Sequence, residues 1–96
     1  MPATPQIIKT DGSKEQFLYS GDAPTTQEIQ AAIGGDIQAV PGKDAEWVLL
    51  VDEEGSRKDL PYNEVATDLV SPEYMQHNYS LRGTAIHLPK SLMNKQ

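Results

Sequence analysis

Two histidines, His77 and His87, are the only imidazoles in the chain, and there is no cysteine. Nucleophilic catalysis needs a nucleophile, a base and a group that orients the base. His87 falls on the alternation of a strand and reads as a structural or surface residue. His77 stands in a polar stretch with Tyr74, Asn78 and Tyr79. Neither histidine has a partner at His-x-His or His-x₃-His spacing, so no metal site and no cofactor are expected. The lack of cysteine excludes disulfides, thiolate chemistry, cysteine-held zinc and iron–sulfur clusters. Asp52-Glu53-Glu54 is the densest carboxylate cluster. It lacks the alternating ligands and central glycine of a calcium loop and reads as a solvated turn. Gly34-Gly35 alone is no phosphate loop, and a helix stop accounts for it. No enzyme is expected.

Binding chemistry has better candidates. Arg57-Lys58 is the only adjacent basic pair, and Arg82 is the only other arginine. The guanidinium fork matches phosphate oxygens. Tyr62 and Asn63 stand just before a predicted helix, where free backbone N–H groups favour anions. An aromatic face, an amide and a helix start together suit a nucleotide, with the base on Tyr62 and phosphate near the amides. Arg57, Tyr62, Asn63 and Arg82 are therefore the candidate ligand-binding set. Against this, Asn63 suits an ordinary helix cap and Tyr62 suits packing at a sheet edge. Trp47 reads as core, and Tyr74 and Tyr79 fit either a pocket or a subunit interface.

The chain that must position these groups has 96 residues and a net charge of −6. That length holds one domain. The acidic balance argues against holding nucleic acid by bulk charge. The longest apolar run, residues 47–51, is far too short to span a bilayer. The first residues carry no basic region and no apolar core, so no signal peptide is expected. With no cysteine, a cytoplasmic home is the simplest expectation.

Residues 1–5 hold two prolines and read as a flexible arm, 6–89 as a single domain and 90–96 as a tail, frayed or a short helix. Residues 6–10 and 15–19 flank Asp11-Gly12, a strong hairpin signal. Thr25-Thr26-Gln27-Glu28 is a capping box, and Ile29, Ala32 and Ile33 then form one helical stripe. Residues 36–40 alternate as a half-buried strand does. Residues 46–52 are short and apolar and read as the central strand. Residues 56–60 are expected to pair with it. Asn63 starts a second helix that Ser71-Pro72 ends. Residues 73–80 show no pattern, and residues 81–88 read as a last strand with Gly83 inside it. The expected architecture is α+β, a small mostly antiparallel sheet with two short helices packed on one face.

Four segments carry a resemblance. They are residues 29–40, containing Gly34-Gly35 and Ile37-Gln38-Ala39-Val40; residues 48–55, ending in Asp52-Glu53-Glu54-Gly55; Leu60-Pro61-Tyr62-Asn63-Glu64-Val65-Ala66-Thr67; and residues 81–86 with Gly83-Thr84-Ala85. Together they resemble a family of small phage and plasmid proteins, domain of unknown function 3846, over residues 6–89. Tyr62 stands where the family pattern has a small residue or proline, and Thr84 where an aspartate often follows the glycine. The resemblance implies a mobile-element origin, and small phage proteins of this size often counter host defence. The expectation is an anti-defence protein that binds and sequesters a nucleotide-derived immune signal, resembling cyclic ADP-ribose or a cyclic dinucleotide, without cleaving it. Such a small domain would build its pocket between protomers, so a homo-oligomer is expected, with no nucleic-acid or membrane partner. The alternative is an acidic inhibitor that occupies a host defence or restriction enzyme, with Asp52, Glu53 and Glu54 at its face.

Overall fold

The structure, a computed structural model, describes residues 5–19, 21–55, 57–75 and 81–93, without the side chains of Met75 and Met93. The candidates His77, Asn78 and Tyr79 lie outside the described residues.

The hairpin forms as expected but shorter. β1 (Gln6–Ile8) pairs antiparallel with β2 (Lys14–Gln16). Its turn is closed by Gly12 N–H on Lys9 O at 3.0 Å and Lys9 N–H on Ser13 O at 2.9 Å. Helix α1 (Thr26–Ile33) starts on the predicted capping box. Thr25 Oγ1 accepts from Glu28 N at 3.1 Å, and Glu28 Oε1 accepts from Thr25 N at 2.9 Å. It stops at Gly34, whose left-handed backbone (φ 82°) is one a side chain would resist. The chain returns through β3 (Ile37–Pro41) and β4 (Trp47–Asp52). Helix α2 (Glu64–Asp68) is capped by Asn63. Pro72, expected to end that helix, instead opens a separate turn, α3 (Pro72–Met75). This follows from proline being tolerated at a first helical position. β5 (Ala85–Pro89) and α4 (Lys90–Met93) close the chain, so Gly83 precedes the last strand and does not lie in it.

The sheet is antiparallel throughout, in the order β2-β1-β5-β4-β3. The α+β class and the antiparallel sheet agree with the sequence. Two expectations need correction. β5 is the middle strand, and β4 lies beside it. Residues 57–59 are turn and do not pair with β4, because β3 and β5 already occupy both of its edges.

The helices are also divided between two faces of the sheet. On one face Ile29 and Ile33 of α1 and Leu92 of α4 pack with Val48, Leu50, Ile86, Leu88 and Phe17. On the other, Ala66 and Val70 pack with Ile8, Val40, Leu49, Val51, Leu81 and Ala85, with Tyr74 of α3 against them. Burial of every residue from Val48 to Asp52 is the physical reason. A strand buried on both sides reads as a continuous apolar run, and that run demands a cover on each face.

Candidate functional site

The four family segments converge. Asn63 Nδ2 donates to Ile8 O and to Gly83 O, both at 2.9 Å, while its Oδ1 accepts from Ala66 N at 3.1 Å. Thr67 Oγ1 donates to Asn63 O at 2.7 Å and accepts from Leu81 N at 3.0 Å. Asn63 has no solvent exposure. Its side chain therefore binds α2, β1 and the segment before β5 together. The start of α2 is filled by this cap, and Asn63 stands behind the surface, with no part of it on the surface.

That clamp sets a ledge. Asn63 N–H bonds Leu81 O and Gly83 N–H bonds Pro61 O, each at 2.8 Å, on either side of the antiparallel bridge Tyr62↔Arg82. A pair bracketed in this way is the close, non-hydrogen-bonded kind, whose side chains leave the same face about 5 Å apart at Cβ. Tyr62 is 47% exposed, one of two large hydrophobic residues open to solvent among the described residues. Beside it Arg82 Nη1 donates to Leu60 O at 3.1 Å and lies 3.8 Å from Asp59 Oδ1. Of the candidate set, the fold thus brings Tyr62 and Arg82 together on the surface and Asn63 beneath them. Arg57 stands on the preceding turn with its side chain 82% exposed, 3.8 Å from Glu54.

The turn that carries Arg57 is anchored from below. Asp52, read from the sequence as part of a solvated turn, is buried, its side chain 2% exposed. Lys58 Nζ donates to Asp52 Oδ2 at 2.8 Å, and Glu54 N to Asp52 Oδ1 at 2.9 Å. Burial pushes the Asp52 carboxyl upward. The Lys58 and Glu54 hydrogen bonds and the Lys58 charge outweigh it, leaving the carboxyl below the usual range. The Lys58 ammonium is held above its ordinary value, first by its bond to Asp52. Solvation of a strand-end aspartate is the local expectation. Lys58, six residues on along the same turn, and the close approach of Gly35 change it.

Asp59 escaped sequence reasoning because residues 56–60 read as a strand. Its φ of 55° is the only positive value at a non-glycine among the described residues. Aspartate tolerates that region better than most residues. The only sequence signal was its residue type, a turn former beside Arg57-Lys58.

Two other features lie apart from the ledge. Trp47 and His87 stack with ring centroids 4.4 Å apart. Burial, then the nearby Lys14 charge, lowers the His87 pKa against the opposing pull of Asp44. A cleft of about 300 Å³ is lined by Lys43, Thr67, Asp68, Val70 and Pro72. Tyr74, a candidate pocket residue, packs against the core and accepts from Gln38 Nε2 at 3.2 Å. Among the described residues no three histidine or carboxylate side chains group to hold a metal. Nor is any described helix long and apolar enough to cross a membrane.

The model of a family described as domain of unknown function 3846 matches residues 5–90. The chain belongs to that family. No curated protein and no solved structure matches it. In this member of the DUF3846 family, the four segments behind the resemblance are neighbours in space. Gly35 abuts Asp52, Gly55 abuts Arg82, and Asn63 bonds Gly83. These segments form the interlocked floor of the ledge, and Tyr62 stands on its surface.

Proposed function

We propose that this protein is a non-enzymatic binding module that sequesters a nucleotide-derived signalling molecule at the Tyr62–Arg82 ledge. The observation that carries the reading is the exposed ring placed directly beside a guanidinium. The ring offers a base a stacking face, and the guanidinium offers phosphate oxygens a fork. Both groups hold a ligand; neither attacks one. Arg57, on the adjoining turn, is the third contact. Asn63 acts through the other two by fixing the segments that carry them.

A ledge open on one side buries too little of a ligand for tight capture. A second copy of the chain supplies the missing wall in this reading, as a homo-oligomer. The setting we propose is the cytoplasm of a host cell, where a phage or mobile-element protein counters a nucleotide-based defence. That setting rests on the family resemblance. The acidic-inhibitor alternative keeps the net charge of −6, but Asp52 of its cluster is buried beneath Lys58.

The test is a thermal-shift screen with cyclic dinucleotides and cyclic ADP-ribose isomers. A ligand at a hundred times its dissociation constant raises the midpoint of a domain this size by about 10 °C or more. Tyr62→Ala and Arg82→Ala are expected to abolish the shift, and heating is expected to release the ligand intact. A shift that survives both substitutions, or a cleaved ligand, overturns the reading.

A further inference from the structure

We infer that the ledge selects its ligand by charge, taking nucleotides whose phosphates are all internally bridged, each with a single negative charge, and rejecting those with terminal phosphates. This rests on the binding reading above and narrows it. The charges around the ledge decide it. Residues 52–60 together with Arg82 carry four carboxylates (Asp52, Glu53, Glu54, Asp59) against three cations (Arg57, Lys58, Arg82). Lys58 is consumed by Asp52 at 2.8 Å, and Arg57 stands 3.8 Å from Glu54. Glu64 adds a further exposed carboxylate two residues after Tyr62.

Only Arg82 is fixed beside the ring, and its charge is already shared. Its Nη1 donates to Leu60 O, and the Asp59 carboxylate stands 3.8 Å away. Asp59 has its side chain 97% exposed, at the rim of the guanidinium where an incoming phosphate would approach. A phosphodiester carries one negative charge and two free oxygens, which one guanidinium can meet. A terminal phosphate carries close to two charges near neutral pH. The excess charge can turn only to Arg57, which already stands 3.8 Å from Glu54, and it meets the Asp59 carboxylate. Each unmatched unit charge at about 4 Å in water weakens binding about fivefold.

Asp59 is thus a specificity-determining residue. Asp59→Asn removes the charge, and asparagine also tolerates the left-handed backbone, so the turn is retained. The experiment is titration calorimetry at low salt without magnesium, using cyclic AMP and cyclic GMP against ATP and GTP. The cyclic nucleotide of the preferred base is expected to bind at least about fivefold tighter than its triphosphate. In Asp59→Asn that ratio is expected to shrink about fivefold, mainly by tighter triphosphate binding. A triphosphate that binds wild type as tightly as the cyclic form, or a ratio unmoved by Asp59→Asn, overturns charge selection and leaves the binding reading standing. No binding of either class at millimolar concentration overturns charge selection at this ledge, and the thermal-shift screen above decides the binding reading separately.

Discussion

Asn63 does more than a helix cap must. A cap needs only the oxygen of its side chain. Here the nitrogen is used as well, on two carbonyls from distant parts of the chain, Ile8 and Gly83. Asn63→Ala removes the cap and leaves two buried carbonyls without their donor. The expected cost is about 2–4 kcal/mol, summing a lost cap and the desolvated acceptors. A midpoint at least about 10 °C lower should follow in a thermal melt. Asn63→Asp separates the two roles, because it keeps the cap oxygen but turns a second oxygen toward the two carbonyls. It is expected to be no more stable than the alanine variant. An aspartate variant melting close to wild type would show that the carbonyl clamp contributes nothing. The sequence made Asn63 visible as a helix start, since cap chemistry is local. Its second role needs β1 and the segment before β5 to arrive from elsewhere, and no local pattern reports that.

At the scale of elements, the two glycines after α1 do different work. Gly34 is needed for its left-handed backbone, and a Cβ there meets nothing within 4 Å. Gly35 is needed for space, since its Cβ would lie 2.5 Å from Asp52 Oδ2. Gly34→Ala is expected to cost about 1–2 kcal/mol of backbone strain and leave the Asp52–Lys58 pair in place. Gly35→Ala must displace a buried carboxylate that Lys58 and Glu54 both hold, an overpacking cost of about 1–3 kcal/mol. The two are distinguished by amide exchange at Glu54, whose N–H bonds Asp52 Oδ1. Exchange there should quicken selectively in Gly35→Ala, and equal exchange in both variants would remove Asp52 as the reason for the second glycine. Elements with local causes were legible: the capping box of α1, the Asp11-Gly12 hairpin, the alternation of β3. The turn at residues 57–59 was not, because what denies it a strand partner is the occupation of both β4 edges by β3 and β5. For the same reason the ledge was half legible. Tyr62 and Arg82 could be chosen by residue type, but their pairing depends on a bridge between segments twenty residues apart.

For the whole molecule, the decisive contact is between the two ends of the described chain. β1 pairs with β5, Gln6 opposite His87 and Ile8 opposite Ala85. Without the hairpin of β1 and β2, the middle strand of the sheet becomes an edge with unpaired backbone groups. The same loss strips both faces at once: Ile8 from the core beneath α2, Phe17 from the core beneath α1. Asn63 loses the Ile8 carbonyl. Burying one large apolar side chain is worth about 1.5–3 kcal/mol, and a domain of this size has only about 5–15 kcal/mol in all. The hairpin's several buried residues, with its ladder and the Asn63 bond, amount to most of that margin. A chain beginning at residue 21 is therefore expected not to fold. Circular dichroism should show no cooperative melt, and the free edge of β5 should promote association at micromolar concentration. Adding residues 1–19 as a separate peptide should restore some ellipticity, since the missing strand carries its own turn. A truncated chain that melts cooperatively within a few degrees of the intact protein would place the stability in the segments from α1 to β5 alone, and would free the hairpin from any part in holding the ledge.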